Sequence, residues 1–217
     1  MKYDNKAFLF DLDGVIIDSE PCYDQFWNNA VQKYRIPIEN FPAIIKGNTL
    51  KAILEKYFYD YPVEIQQQIK QECSDFEQTM DYPPIPGALT FIGQLKGSGY
   101  PIALVTSSDS KKVESVISRL KLENFFDSIV TADRISVGKP HPECYLLAAQ
   151  DLKKEPSDCI VFEDSFAGLE AARRAHMKIV ALSTTNPPEQ LQGKANLVIP
   201  NFDGVQIQSI VSQVYRS

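Results

Sequence analysis

The sequence predicts an α/β protein: a Rossmann-like, doubly wound parallel sheet with a small all-helical domain inserted after the first strand. Short apolar runs alternate with helix-forming segments over most of the chain, which is typical of βαβ units. The stretch from about residue 21 to residue 82 differs, because it contains helical patterns and prolines but no strand pattern. We therefore divide the chain into an α/β core, residues 1–17 and 85–217, and a helical insertion, residues 18–84.

Six apolar runs predict the strands of the core. Most of their residues are β-branched or aromatic, and each run is too short for a helix. Their polar residues lie only at the ends, which favours a parallel sheet that is covered on both faces. The runs are residues 7–10, 102–105, 128–130, 159–162, 178–182 and 197–199.

Helices are predicted between these strands and throughout the insertion. In the core, residues 110–120 follow a Ser-Asp-Ser cluster, residues 142–152 begin with a proline, and residues 167–176 are rich in good helix formers. In the insertion, prolines separate three further helical patterns, at residues 23–34, 49–59 and 63–80.

Composition excludes several classes of function. The chain has 217 residues, 44% of them apolar, and a formal net charge of −6. An acidic chain without a basic run is a poor candidate for binding nucleic acid or a membrane surface. The four cysteines form no CxxC pair, which argues against structural zinc, and the first residues do not resemble an export signal. We expect a cytoplasmic monomer with reduced thiols and no nucleic-acid or membrane partner.

The residues that follow four of the strands carry the chemistry. Ligands of open α/β sheets bind beyond the carboxyl ends of the strands. Those ends carry carboxylates, hydroxyls and one lysine: Asp11 and Asp13, then Thr106 with Ser107, then Lys139, and finally Glu163 with Asp164.

This set of residue types points to phosphoryl transfer. Clustered carboxylates need a cation, and ligands that are all oxygen suit Mg²⁺. A lysine holds a phosphate, one aspartate can form an aspartyl-phosphate, and a second can act as general acid and base. Each motif alone has an ordinary alternative, such as a solvated turn, a surface lysine or a helix cap. A calcium loop at Asp11 is excluded, because Gly14 and Cys22 occupy the fourth and twelfth positions, where that loop needs glycine sixth and an acid twelfth.

Four segments resemble the motifs of the haloacid dehalogenase-like hydrolase superfamily, in the same order. They are FLFDLDGVIIDSE, ALVTSSDS, GKPHPE and VFEDSFAGLEAA. The helical insertion resembles the small cap domain of that superfamily, and the motifs are most similar to those of the β-phosphoglucomutase-like phosphatase branch.

The resemblance implies a role for each acidic residue. Asp11 would be the nucleophile and a Mg²⁺ ligand. Asp13 would be the general acid and base and would offer its backbone carbonyl to the metal. Asp164 would bind the metal directly, and Glu163 either directly or through water. The second aspartate, Asp13, favours phosphate esters over the dehalogenase substrates of the superfamily.

The resemblance also implies a phosphate site, in which Thr106 and the Ser107 backbone bind the phosphoryl group and Lys139 bridges it to Asp11. The predicted function is a Mg²⁺-dependent phosphatase that acts on a small phosphorylated metabolite through an aspartyl-phosphate. The alternatives are a hexose-phosphate mutase of the β-phosphoglucomutase type and a non-catalytic binding protein on the same fold.

The insertion departs from the mutase pattern at two positions. Mutases carry a histidine and a phosphate-binding arginine where this sequence has Tyr23 and Leu50. This difference favours the phosphatase over the mutase. We expect substrate specificity to lie with Tyr23, Lys46, Gly47 and Asn48 in the insertion, and with Phe166 in the core.

Overall fold

The computed structural model describes residues 5–45 and 49–216. The chain forms two compact units. One unit, the core, contains the residues up to Asp18 and those from Pro83 onward, and the other, the insertion, is Ser19–Tyr82. Within the described residues, no helix has both the length and the apolar character needed to cross a membrane.

The core contains a six-stranded sheet in which every pairing is parallel. The strands lie in the order β3-β2-β1-β4-β5-β6. They are β1 Ala7–Phe10, β2 Ile102–Val105, β3 Ser128–Val130, β4 Cys159–Glu163, β5 Lys178–Leu182 and β6 Leu197–Ile199. The predicted α/β fold class is confirmed, and only β4 is longer than its apolar run, by the one residue Glu163.

The strand order places a topological switch point between β1 and β4, where doubly wound sheets bind their ligands. Phe10 of β1 is in register with Leu104 of β2 on one side and with Phe162 of β4 on the other. The Asp11 amide continues this pairing by donating to the Phe162 carbonyl at 3.0 Å. Asp11 and Glu163 therefore emerge side by side.

The insertion contains four helices in its described residues: α1 Glu20–Tyr34, α2 Phe41–Ile45, α3 Leu50–Tyr57 and α4 Val63–Thr79. Its own core combines aliphatic and aromatic side chains, with edge-to-face contacts of Trp27 with Phe26 and Phe41. Burial of these rings stabilises the helices of the insertion, whose residues have only modest intrinsic helix propensity. Helix α2, a five-residue helix whose second residue is Pro42, was not predicted from the sequence.

The helices of the core are α5 Ala88–Gly97, α6 Ser110–Leu120, α7 Glu143–Asp151, α8 Phe166–Arg174, α9 Pro188–Leu191 and α10 Ile207–Val214. Helix α6 has its predicted bounds, and α7 and α8 differ from theirs by one or two residues. Helices α5, α9 and α10 were not predicted from the sequence. In α10, β-branched residues obscure the helical pattern, yet Ile207, Ile210, Val211 and Val214 form one buried face.

Candidate active site

A buried ion cluster lies at the carboxyl ends of β1 and β4. The Lys139 ammonium is 2.6 Å from Oδ1 of Asp11 and 2.6 Å from Oε1 of Glu163. The Lys139 and Asp11 side chains retain 6% and 10% of their exposure, and Glu163 retains none. Asp11, Glu163 and Asp164 each present an oxygen within 4.8 Å of the others. Residues distant in sequence thus form one charged group.

Burial strongly raises the pKa of two acids of this cluster, Asp11 and Asp164. Burial raises the pKa of Asp11 to about 7, with Lys139 opposing the shift and the charge of Glu163 adding to it. Burial and the charges of Glu163 and Asp11 also raise the pKa of Asp164 well above its usual range. Burial alone would lower the pKa of Lys139, but the two adjacent carboxylates raise it instead. With all groups ionised, three carboxylates and one ammonium leave an excess of two negative charges, which favours a divalent cation.

Both oxygens of Glu163 are occupied by protein donors. Oε1 accepts from Lys139 at 2.6 Å and from the Tyr145 hydroxyl at 3.2 Å. Oε2 accepts from the amides of Asp164 and Ser165, both at 2.8 Å, and from the Ser165 hydroxyl at 3.0 Å. A carboxylate with five donors has little capacity left for a direct metal bond. Its position suits holding Lys139 in place.

Asp13 lies in a separate part of the site. Both of its oxygens accept from the Lys112 ammonium, at 2.7 and 2.8 Å, and one also accepts from the Ser108 hydroxyl at 3.1 Å. The Ser108 amide donates to the Thr106 hydroxyl at 3.0 Å. The Ser107 side chain is exposed. The loop after β2 therefore links the predicted phosphate-binding residues to the predicted acid and base.

Four side chains that contact this site were not predicted from the sequence. Lys112 lies in the first turn of α6, where sequence alone does not distinguish it from its exposed neighbour Lys111. Tyr145 in α7 is fully buried and reaches Glu163. The loop after β5 donates to Asp164 from the Thr185 hydroxyl and from the Asn186 amide, the latter to the backbone carbonyl at 2.9 Å. The polar sequence of this loop, directly after a buried strand, was the one sequence feature that could have marked it as part of the site.

The donor set fits a hard divalent cation such as Mg²⁺. All ligand atoms of the cluster are carboxylate oxygens, which Mg²⁺ prefers. Lys139 donates to Oδ1 of Asp11 and Thr185 donates to Oδ2 of Asp164, and no described residue donates to the second oxygen of either acid. Those two oxygens, one from Asp11 and one from Asp164, are the available direct ligands.

The predicted specificity residues are spread over both units. In the insertion, the Tyr23 hydroxyl donates to the Glu77 carboxylate. Lys46, Gly47 and Asn48 lie outside the described residues. In the core, Phe166 begins α8 and is 42% exposed, which is unusual for a large aromatic side chain.

Comparison with known proteins identifies the family. The family model described as "haloacid dehalogenase-like hydrolase" matches residues 5–176. This match covers most of the chain and includes every residue of the buried ion cluster. The protein belongs to the haloacid dehalogenase-like hydrolases.

Several relatives of this hydrolase match it almost end to end. It is 32% identical to validoxylamine A 7'-phosphate phosphatase of Streptomyces hygroscopicus subsp. limoneus, over 93% of this chain and 96% of the relative. It is 29% identical to hexitol phosphatase A of Escherichia coli, over 93% and 94% of the two chains. The crystal structure of a β-phosphoglucomutase from Clostridium difficile superposes with a TM-score of 0.79 at 29% identity, covering 97% of each chain. The family match and the relatives named as phosphatases together show that this protein is an enzyme.

Proposed function

We propose that the protein is a Mg²⁺-dependent phosphatase that hydrolyses a small phosphorylated metabolite, a sugar phosphate or a similar ester, through an aspartyl-phosphate. The observation that carries this proposal is the contact of one buried ammonium, Lys139, with the Asp11 carboxylate at the switch point of the sheet. The relatives named as phosphatases support the choice of phosphate esters as substrates.

In the first step, a phosphoryl group held by Lys139 lies next to the Asp11 oxygen that contacts the same ammonium. The Asp11 carboxylate attacks phosphorus, the ester P–O bond breaks, and Asp13 gives a proton to the departing alkoxide. In the second step, Asp13 takes a proton from water, the water oxygen attacks phosphorus, and the bond to Asp11 breaks. Thr106 and the Ser107 amide donate hydrogen bonds to the phosphoryl oxygens.

Asp11, Asp164 and the Asp13 carbonyl would hold the Mg²⁺ ion, with Glu163 outside the direct ligands. When bound, the cation neutralises the charge of the phosphate and of the attacking carboxylate. The five donors to Glu163, one of which is the Lys139 ammonium, support its place outside the direct ligands.

A hexose-phosphate mutase is the second candidate, because this chain superposes on a β-phosphoglucomutase. A mutase must hold a second phosphate while the intermediate turns over. Leu50, at the position of the expected arginine, instead packs against the apolar core of the insertion. The phosphatase therefore remains the first choice, and Tyr23 remains a candidate for specificity.

The net charge of −6 supports the absence of a nucleic-acid or membrane-surface partner from this proposal. Action as a cytoplasmic monomer is part of the same proposal.

The test is a screen for phosphate release over sugar phosphates, nucleotides and pyrophosphate with Mg²⁺, repeated in excess EDTA. Acid-quenched protein is then searched for labelled phosphate on Asp11. Asp11→Asn should abolish release and labelling, whereas Asp18→Asn, which alters a carboxylate outside the cluster, should retain both. Isomerised sugar phosphate in place of free phosphate would establish the mutase. Full activity in EDTA would exclude the metal.

A further inference from the structure

The loop after β5, residues 183–186, connects two parts of the site that come from different strands. It begins where the Ser183 amide donates to the Ile199 carbonyl of β6, at 3.0 Å. The Thr184 hydroxyl then donates to the Gly14 carbonyl at 2.6 Å, and the Thr185 hydroxyl donates to Oδ2 of Asp164. Three successive residues thus bind the sheet edge, the turn after Asp13, and a cluster carboxylate.

Gly14 shows how closely these parts approach each other. Its φ is +74°, in the left-handed region that favours glycine. A Cβ atom at this position would lie 2.1 Å from Oδ2 of Asp164 and 3.1 Å from the Thr185 hydroxyl. The turn after β1, the Asp164 carboxylate and the Thr185 hydroxyl are therefore packed closely together.

The Thr185 hydroxyl occupies one of the two Asp164 carboxylate oxygens. Asp164 is 5% exposed, and its Oδ2 accepts from Thr185. Asn186 donates to the backbone carbonyl of the same residue, so that both ends of Asp164 are held by one loop. A carboxylate held through one oxygen and through its main chain has a restricted rotation, which keeps the other oxygen directed at one place.

We propose that Thr185 is a positioning residue of the cation site, and that the loop 183–186 sets the affinity of the enzyme for its divalent cation. This inference rests on the proposed function in assuming that the cluster binds Mg²⁺. Outer partners that orient a ligating side chain typically contribute about 10–100-fold to metal affinity. Thr185 makes no direct metal bond in this arrangement. It selects the orientation of Asp164.

The test measures metal binding by the full chain without substrate, so that it does not depend on finding the substrate. Mg²⁺ binding is followed by calorimetry, and Mn²⁺ binding by loss of its free EPR signal. Thr185→Val removes the hydroxyl and should weaken both metals about 10–100-fold. Thr185→Ser keeps the hydroxyl and should bind both metals within about threefold of wild type, a change well below that range.

Thr79→Val is the matched control. The Thr79 hydroxyl donates to carbonyls of its own helix α4 in the insertion, so its loss should leave metal affinity unchanged. Wild-type affinity in Thr185→Val would overturn the inference, even if that variant were less stable, because a purely structural hydroxyl would show that result. Equal weakening in Thr185→Ser and Thr185→Val would also overturn it.

The two proposals fail differently. Normal metal binding by Thr185→Val in an enzyme that requires Mg²⁺ would refute this inference alone. Absence of metal binding by the wild-type chain would refute both the inference and the proposed metal requirement. Metal binding that depends on Thr185, in a chain that releases no phosphate, would support the inference and count against the proposed reaction.

Discussion

Gly168 occupies the place where α8 passes the Glu163 carboxylate, and its replacement by alanine should be strongly destabilising. A Cβ atom there would lie 1.6 Å from Oε1 and 1.9 Å from Cδ of Glu163. The carboxylate cannot yield at low cost, because it has no exposure and accepts from five donors. Gly168 is therefore required by a close approach in the first turn of α8.

The magnitude follows from these contacts. Restoring a separation of 3.0 Å from 1.6 Å requires a shift of at least 1.4 Å. A shift of that size breaks the 2.8 Å bonds from the Asp164 and Ser165 amides to Oε2. Hydrogen bonds to charged groups contribute about 1.5–3 kcal/mol each, and alanine returns about 1 kcal/mol of helix propensity. The free energy of unfolding should fall by about 2–5 kcal/mol.

The assay is urea unfolding followed by circular dichroism, with turnover measured on the folded fraction. Lys139 should lose its alignment when Glu163 moves, and a misplacement of about 1 Å costs about 100-fold in rate. Gly93→Ala in α5 is the matched control, since the nearest atom to its new Cβ, in Phe125, is at 3.8 Å. That variant should be more stable by about 0.5–1 kcal/mol.

A double variant tests the cause. Glu163→Asp withdraws the carboxylate by one methylene, so combining it with Gly168→Ala should cost less than the sum of the two single changes. A Gly168→Ala protein as stable as wild type, or strict additivity in the double variant, would refute the reasoning.

Three further predictions concern the acids. The pKa of Asp11 is raised to about 7 in the folded protein. The free energy of unfolding of the metal-free protein should therefore fall as pH rises from about 4 to about 7, because only the unfolded chain gives up that proton in this range. Asp11→Asn should remove this pH dependence, and an unchanged pH profile of unfolding in the variant would contradict the prediction. Asp13→Asn should slow turnover about 10²–10⁴-fold, less for aryl than for alkyl phosphates because aryl leaving groups need little protonation; equal losses would show that Asp13 is not the leaving-group acid. Lys112→Met should lower the free energy of unfolding by about 1–3 kcal/mol, a range reduced because Asp13 is partly exposed. The control variant Lys111→Met should change it by less than about 0.5 kcal/mol. Equal effects of the two variants in urea unfolding would show that the contact of Lys112 with Asp13 does not stabilise the fold.

Much of the fold follows from local pattern. The strands of a doubly wound sheet are buried on both faces, so Ala7–Phe10 and Ile102–Val105 are continuous apolar runs that are visible in the sequence. Helix α6 is equally visible, because Asp109 accepts from the Lys112 amide as a local cap. Helix α10 is not, because its β-branched residues are helical only through burial against the core.

The candidate site divides in the same way. Asp11, Lys139, Glu163 and Asp164 could be chosen from sequence, because the carboxyl ends of parallel strands meet at one edge whatever the details of packing. Their proximity is then confirmed by the structure, while their roles stay predictions.

Which atoms meet was decided only by tertiary structure. The tertiary structure brings five donors to Glu163, Lys112 to Asp13, and the Thr185 hydroxyl to Asp164. The longest contact of each group joins residues that lie 24, 99 and 21 positions apart. A strand end specifies the edge at which a side chain emerges. Its partners depend on how neighbouring helices and loops pack over that edge, and packing of distant segments leaves no periodic signal in the sequence.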